Sequence, residues 1–190
     1  MNAHAARYLD LDRRSFIGGS DARIIMGDDE PALLRLWREK RGEVEPEDLS
    51  GNLIVQLGTV TEGLNRHWYE RNTNQVVTEV QRHVRHSVNK WMAATIDGMI
   101  EGTGAVFEAK FMLPWSFSEE AAVAKYRPQL QHNMWVVAAR SAVLSVITGG
   151  GKWVEISTHA DPALSAPRCH CRAEVLAVCR ERRAPCPVRP

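Results

Sequence analysis

The sequence predicts a mixed α/β domain of the α+β kind, and three observations lead there. Apolar residues recur at helical spacing through much of the first 71 positions. From Val76 the period shortens toward two, with glycines punctuating the runs. A second helical stretch from about Glu119 then separates these runs from two further strand-like segments. The order of helices, three strands, a helix and two strands is that of one mixed domain.

The elements follow in turn. RRSFIGGSDARIIMG contains a Gly-Gly break, and Ser20 after it suits the N-cap of a short helix to about Met26. Pro31 fits the first turn of a helix ending at Gly42, with Leu33, Leu34 and Trp37 on one face and Arg35, Arg38 and Arg41 on another. Leu57, Val60, Leu64 and Trp68 mark the apolar stripe expected of a longer helix from about Leu53 to Arg71. VVTEVQRHVRH, WMAATIDGMIE and AVFEAKF read as strands, the last two joined at Gly102 and Gly104. A helix interrupted near Pro128 precedes the strands SAVLSVIT and KWVEIS. Trp68, Trp91, Trp135 and Trp153 are expected in the core.

At 190 residues, with 44% apolar residues and six tryptophans, the chain can bury a proper core. No apolar run approaches the ~18–20 residues that cross a bilayer, and the N-terminus has no apolar signal region, so a cytoplasmic location is expected. A net charge of +1 cannot hold nucleic acid by bulk attraction, which calls for a local basic groove or bound cations. The four cysteines all lie between Cys169 and Cys186, so the body offers no disulfide framework.

The chemistry concentrates in IDGMIEGTGAVFEAKF, residues 96–111. Side chains two apart on a strand share a face, so Glu108 and Lys110 are neighbours, and a hairpin can bring Asp97 beside Glu108. Close carboxylates repel unless a cation lies between them, and an all-oxygen set favours Mg²⁺ or Mn²⁺ over zinc. A lysine there can orient a water or stabilise charge on a phosphate, which suits phosphodiester hydrolysis. A Glu–Lys pair on the solvent face of an edge strand gives the same short pattern. Glu62, mid-helix in QLGTVTEGLN, is a candidate third acid or a solvated helix residue. Tyr126, Gln129 and Gln131 in KYRPQLQHNMW are candidates to bond a phosphate or a metal-bound water, or to cap.

The ordered set GGSDA, GTVTEGL, IDG, EAK and YRPQLQHNMW, over residues 13–157, resembles the PD-(D/E)XK nuclease superfamily, and within it the YqaJ/lambda-exonuclease group of phage recombination nucleases. The resemblance implies a restriction-endonuclease-like core, a mixed central sheet flanked by helices. It also implies a Mg²⁺-dependent (or Mn²⁺-dependent) deoxyribonuclease digesting one strand of double-stranded DNA from its 5′ end. Asp97, Glu108, Glu62 and the backbone carbonyl of Ala109 would bind the metal, Lys110 would position the attacking water, and Gln129 matches the first glutamine of the helix motif. Arg13 and Ser20 would hold the 5′-phosphate of the DNA end, with Arg14 a candidate substitute for Arg13; a surface charge and a helix cap are the alternative reading. A single-strand annealing partner, a trimeric homo-oligomeric ring, and a phage or prophage origin in a bacterial host belong to the same implication. The proline–acid pair is absent, since Ile96 precedes Asp97. A related nuclease of other polarity or endonuclease preference, and a non-hydrolytic DNA-end-binding remnant, are the rival readings.

The division expected is a nuclease domain over 1–157 and an atypical Arg/Cys/Pro-rich tail over 158–190. The tail's Cys-His-Cys spacing matches no zinc finger, and the cysteine-free body argues against an iron–sulfur cluster. With synonymous codons chosen freely, a one-base shift after about Ala163 gives an amphipathic helix and a Gly-Glu-Pro-Pro ending, so a frameshifted C-terminus is the reading adopted.

Overall fold

Two glycines and an aspartate set the entry to the fold. In the computed structural model, which describes residues 13–162, helix α1 spans Gly19–Ile25 with Gly18 as its N-cap. The third helical residue, Asp21, reaches back to accept from the Gly18 amide at 2.8 Å, and this fixes the start two residues before the expected Ser20 cap. Ser20 is exposed within the first turn. Helix α2, Glu30–Lys40, is capped by the Asp29 side chain, which accepts from Ala32 N at 3.0 Å. Helix α3, Leu53–Thr73, starts at Asn52, whose side chain accepts from Ile54 and Val55 amides, and ends at the left-handed Asn74.

Two of the expected strands are each broken in two. VVTEVQRHVRH becomes β1, Val77–Thr78, and β2, Arg82–Arg85, because Glu79 and Gln81 take positive φ of 52° and 56°. WMAATIDGMIE becomes β3, Ala93–Ile96, and β4, Gly98–Ile100, parted at Asp97. Strands β2 and β3 form a two-stranded antiparallel ribbon. The remaining strands, with β5 Val106–Met112, β6 Ser141–Thr148 and β7 Trp153–His159, form a five-stranded sheet in the order β1-β4-β5-β6-β7. Only β5 and β6 are parallel, from Val106↔Ala142 to Met112↔Thr148, and helix α4, Glu119–Val137, makes the crossover between them. The mixed central sheet and its flanking helices are thus as expected. Strand β7 runs on past the boundary drawn at residue 157.

Helix α4 continues through Pro128 rather than breaking there. The ring leaves the Ala124 carbonyl without a helical donor, but Ala124 is exposed and water can satisfy it. The alternation of β5 assigns the two faces. Val106 and Met112 join Tyr126, Leu130 and Met134 under α4, while Phe107 and Ala109 join Tyr69 of α3. The Tyr69 and Phe107 rings lie 5.0 Å apart.

The face that α3 buries is not the one its apolar stripe suggested. Val60, Leu64 and Trp68 are exposed, and Asn65 and Tyr69 are the buried residues. The reason is the polarity of the strands beneath: Asn65 Nδ2 donates to Ser145 O at 2.8 Å and Lys110 O at 3.2 Å, and its Oδ1 accepts from Ser145 Oγ at 2.6 Å. A leucine there would forfeit all three bonds and leave the Ser145 hydroxyl with Trp153 Nε1 as its partner. Trp91, Trp135 and Trp153 pack at the rim of the core; Trp68, 42% exposed, does not. Among the described residues no helix is long and apolar enough to cross a membrane. The cysteines of the tail and the expected frameshift after about Ala163 lie outside the described residues.

Candidate active site

The break between β3 and β4 opens the sheet, and Asp97 stands in the opening. Strand β4 pairs with β5 only at Gly98↔Phe107 and Met99↔Val106. Beyond that, Asp97 Oδ2 takes the ladder position and accepts from Ala109 N at 2.9 Å. The N–H and C=O of one strand residue point to the same side, so the Ala109 carbonyl is directed to the same gap. Gly98 makes the closure possible, since an added Cβ would collide with Val77 Cγ1 of β1.

Glu108 enters from the α4 side and is 1% exposed. Three side chains donate to it: Lys110 Nζ to Oε1 at 2.5 Å, Gln129 Nε2 to Oε1, and Asn133 Nδ2 to Oε2 at 3.0 Å. Burial pushes its carboxyl up to about 7, an effect that the neighbouring ammonium of Lys110 opposes and Asp97 reinforces. Lys110, 22% exposed, has its pKa raised: burial pulls it down, but the Glu108 and Asp97 carboxylates outweigh that. Its ammonium also lies 5.5 Å from the centre of the Tyr126 ring, which is buried.

Glu62 approaches from the α3 side. Its Oε1 accepts from Gln81 Nε2, which lies 3.4 Å from Asp97 Oδ1. Burial, and then the charge of Asp97, raises the Glu62 pKa. Sequence reasoning missed Gln81, because nothing in VVTEVQRHVRH announces positive φ at Glu79 and Gln81. It also missed Asn133, although the four-residue step from Gln129 places both on one helical face.

A cleft of about 400 Å³ is lined by Arg13, Gly18, Gly19, Ser20, Gln129 and Asn133, with Phe16, His83 and Thr95 completing it, and reaches Glu108 only through Gln129 and Asn133. Arg13 and Ser20 therefore share a cavity with two of the Glu108 donors. The loop they flank is held from below by a buried pair, Lys40 Nζ to Asp21 Oδ2 at 2.6 Å, and Lys40 also donates to Arg13 O and Phe16 O. Arg14 does not line this cleft; its guanidinium pairs with Glu45 at 3.0 Å. Gln131 is a tie between elements, donating to His159 O and accepting from Asp161 N, each at 2.8 Å, and so is committed away from Glu108. On α2, Arg35 pairs with Glu39 at 2.9 Å, and just beyond its end Arg41 pairs with Glu43 at 2.6 Å.

Among the described residues no three His, Cys, Asp or Glu side chains close into a cluster that could hold a metal. Gln81 stands between Glu62 and Asp97, and Lys110 and Gln129 occupy a Glu108 oxygen. The donor chemistry nevertheless fits a hard divalent cation: three carboxylates and a carbonyl flank one opening, and a cation would offset the burial that disfavours ionised Glu108.

These strands, this opening and this helix make up an α+β fold with a mixed central sheet. It is shared with an alkaline exonuclease from Laribacter hongkongensis, which superposes with a TM-score of 0.76 at 18% identity over 93% of each chain. The same exonuclease in complex with dAMP gives 0.74 at 19% identity. A phage related exonuclease from Haemophilus somnus 129PT gives 0.68 at 12%, covering 91% of this chain and 95% of that one. The chain belongs to the YqaJ-like viral recombinase domain family, whose model matches residues 8–149. The YqaJ protein of Bacillus subtilis (strain 168) is 31% identical over 150 residues, 76% of this chain and 47% of that protein. The chain thus spans about half the length of this curated relative.

Proposed function

We propose that the chain is a metal-dependent deoxyribonuclease that digests one strand of duplex DNA from its 5′ end in phage-type recombination. One observation carries the reading: Lys110 Nζ lies 2.5 Å from the buried Glu108, beside Asp97, where the pairing of β4 with β5 ends. Asp97, Glu108, Glu62 and the Ala109 carbonyl would hold Mg²⁺ or Mn²⁺, which supplies a Lewis acid for the phosphoryl oxygen. Lys110 holds the attacking water and carries positive charge toward the phosphate, where negative charge grows in the transition state. Gln129 keeps Glu108 in place, and Tyr126 packs beside the Lys110 ammonium. Arg13, with the amides and hydroxyl around Ser20, receives the terminal phosphate in the cleft that reaches Glu108 through Gln129 and Asn133.

Membership of the YqaJ-like family and the exonucleases that share the fold support this reading. An annealing-protein partner and a ring of three chains remain part of the proposal through the family. The test is digestion of duplex DNA with and without Mg²⁺, comparing linear molecules bearing 5′-phosphate or 5′-hydroxyl ends with closed circles. Mg²⁺-dependent loss of linear DNA, faster from 5′-phosphate ends, is expected. Cutting of circles would turn the reading to an endonuclease, and binding without cutting would overturn the activity.

A further inference from the structure

We infer that Asn133 is a positioning residue that couples the loop-to-helix junction at Gly18–Ser20 to the carboxylate of Glu108. The inference rests on the proposed metal-dependent chemistry for its consequence, but its geometry is independent of it. Asn133 is 1% exposed, and its two amide atoms have different situations. Nδ2 donates to Glu108 Oε2 at 3.0 Å, the carboxylate oxygen that neither Lys110 nor Gln129 takes. Oδ1 is buried and has no hydrogen-bond partner among the described residues. A buried amide oxygen left without a donor is a standing cost to the fold, so its location calls for a reason.

That oxygen presses on Gly19. An added Cβ at Gly19 would collide with Asn133 Oδ1 and stand 3.2 Å from Asn133 Cγ and 3.0 Å from Gln129 Cγ. Only a residue without a side chain lets the backbone at Gly19 rest on these two side chains, and both of their amides hold Glu108. The helix cannot simply yield, because the neighbouring His132, fully buried, bonds Ala93 O of β3 through Nε2 at 2.9 Å. The lower wall of the junction is equally fixed by the Lys40–Asp21 pair. Gly18, Gly19, Ser20, Gln129 and Asn133 all line the same cleft. A strand end that enters the cleft and settles on the junction therefore bears on Asn133, and through Nδ2 on the orientation of Glu108. Asn133 so links occupancy of the cleft to alignment of a metal-binding carboxylate, without touching the scissile phosphate.

A double-mutant cycle over Gly19→Ala and Asn133→Ala tests this, read by cleavage of a linear duplex, by Mn²⁺ binding and by thermal melting. Asn133→Ala removes one donor to a charged group, so kcat is expected to fall about tenfold while KM for the duplex stays within about threefold. Gly19→Ala drives its methyl into the amide and is expected to lower kcat by a similar factor. The double variant should be no slower than Asn133→Ala alone, because the truncated side chain leaves room for the methyl. Asn133→Asp keeps the shape but sets a carboxylate against Glu108, and is expected to be slower than Asn133→Ala. Multiplying losses in the double variant, or a KM effect with kcat unchanged, would overturn the coupling. Melting curves show whether each variant folds. If the unsubstituted protein cleaves nothing, the proposed function fails on its own, and the cycle is then read from Mn²⁺ affinity. About tenfold weaker binding in each single variant, with no further loss in the double, supports the coupling; equal or absent binding in all four proteins overturns it.

Discussion

Helices α3 and α4 lie on opposite faces of one sheet and each sends polar side chains to the same opening, yet they hold their acids in different ways. On the α4 side Glu108 is fully buried and gripped by Lys110, Gln129 and Asn133. On the α3 side Glu62 is only partly buried and reaches the site through Gln81, which hangs from a turn. One carboxylate is fixed by the fold before any cation arrives, and the other is brought in through a single amide. A rigid anchor and an adjustable arm are a workable combination for the proposed nuclease, whose site would take up and release a strand at each step.

The largest effects should come from the shared opening. Asp97→Asn is expected to reduce cleavage by about 10³-fold or more, since it weakens a cation ligand at the point where both faces meet. If the loss proves smaller than for Glu62→Gln, the α3 side is the true anchor and the comparison inverts. The pH dependence should report the α4 side. Because the Glu108 carboxyl is raised from 4.5 to about 7, cleavage is expected to fall as pH drops below about 7, and added Mg²⁺ should move that midpoint downward by favouring the ionised form. The sign for stability is the opposite. For the metal-free protein the protonated carboxyl stabilises the fold, a contribution complete below 4.5 and lost as pH rises through about 7. Melting in a chelator across that window, repeated with Mn²⁺ at high pH, should show a decline that the metal reverses.

Smaller effects separate the faces further. Asn65→Leu restores the apolar stripe that the sequence suggests for α3 but removes the amide that bonds Ser145 and the Lys110 carbonyl. It is expected to cost ~1–3 kcal/mol in denaturant unfolding, and a gain in stability would show that the polar contact is incidental. Gln81→Ala, at the adjustable end, should slow cleavage only about threefold, with the loss recovered at higher metal concentration. A loss as large as that of Asp97→Asn would make Gln81 part of the anchor.

The same contrast explains what was legible in the sequence. Asp97, Glu108, Lys110 and Gln129 could be placed because strand alternation and helical spacing fix which side chains share a face. The α3 side was misread because Leu57, Val60, Leu64 and Trp68 recur at helical spacing, while the sheet beneath required Asn65. The strand breaks at Glu79–Gln81 and Asp97 left no compositional trace, since these are not glycines. The Lys40–Asp21 pair was invisible for another reason. Its partners come from separate helices, and burial of an ion pair is a property of the packed fold.

The central claim is that Asp97, Glu108 and Lys110 form a hydrolytic centre. The most direct measurement is the rate of Mg²⁺-dependent digestion of a linear duplex by Lys110→Ala beside the unsubstituted protein, with both melting cooperatively. The account predicts that the variant folds, binds duplex and cleaves nothing above background. Digestion at the unsubstituted rate would contradict it and remove Lys110 from the chemistry.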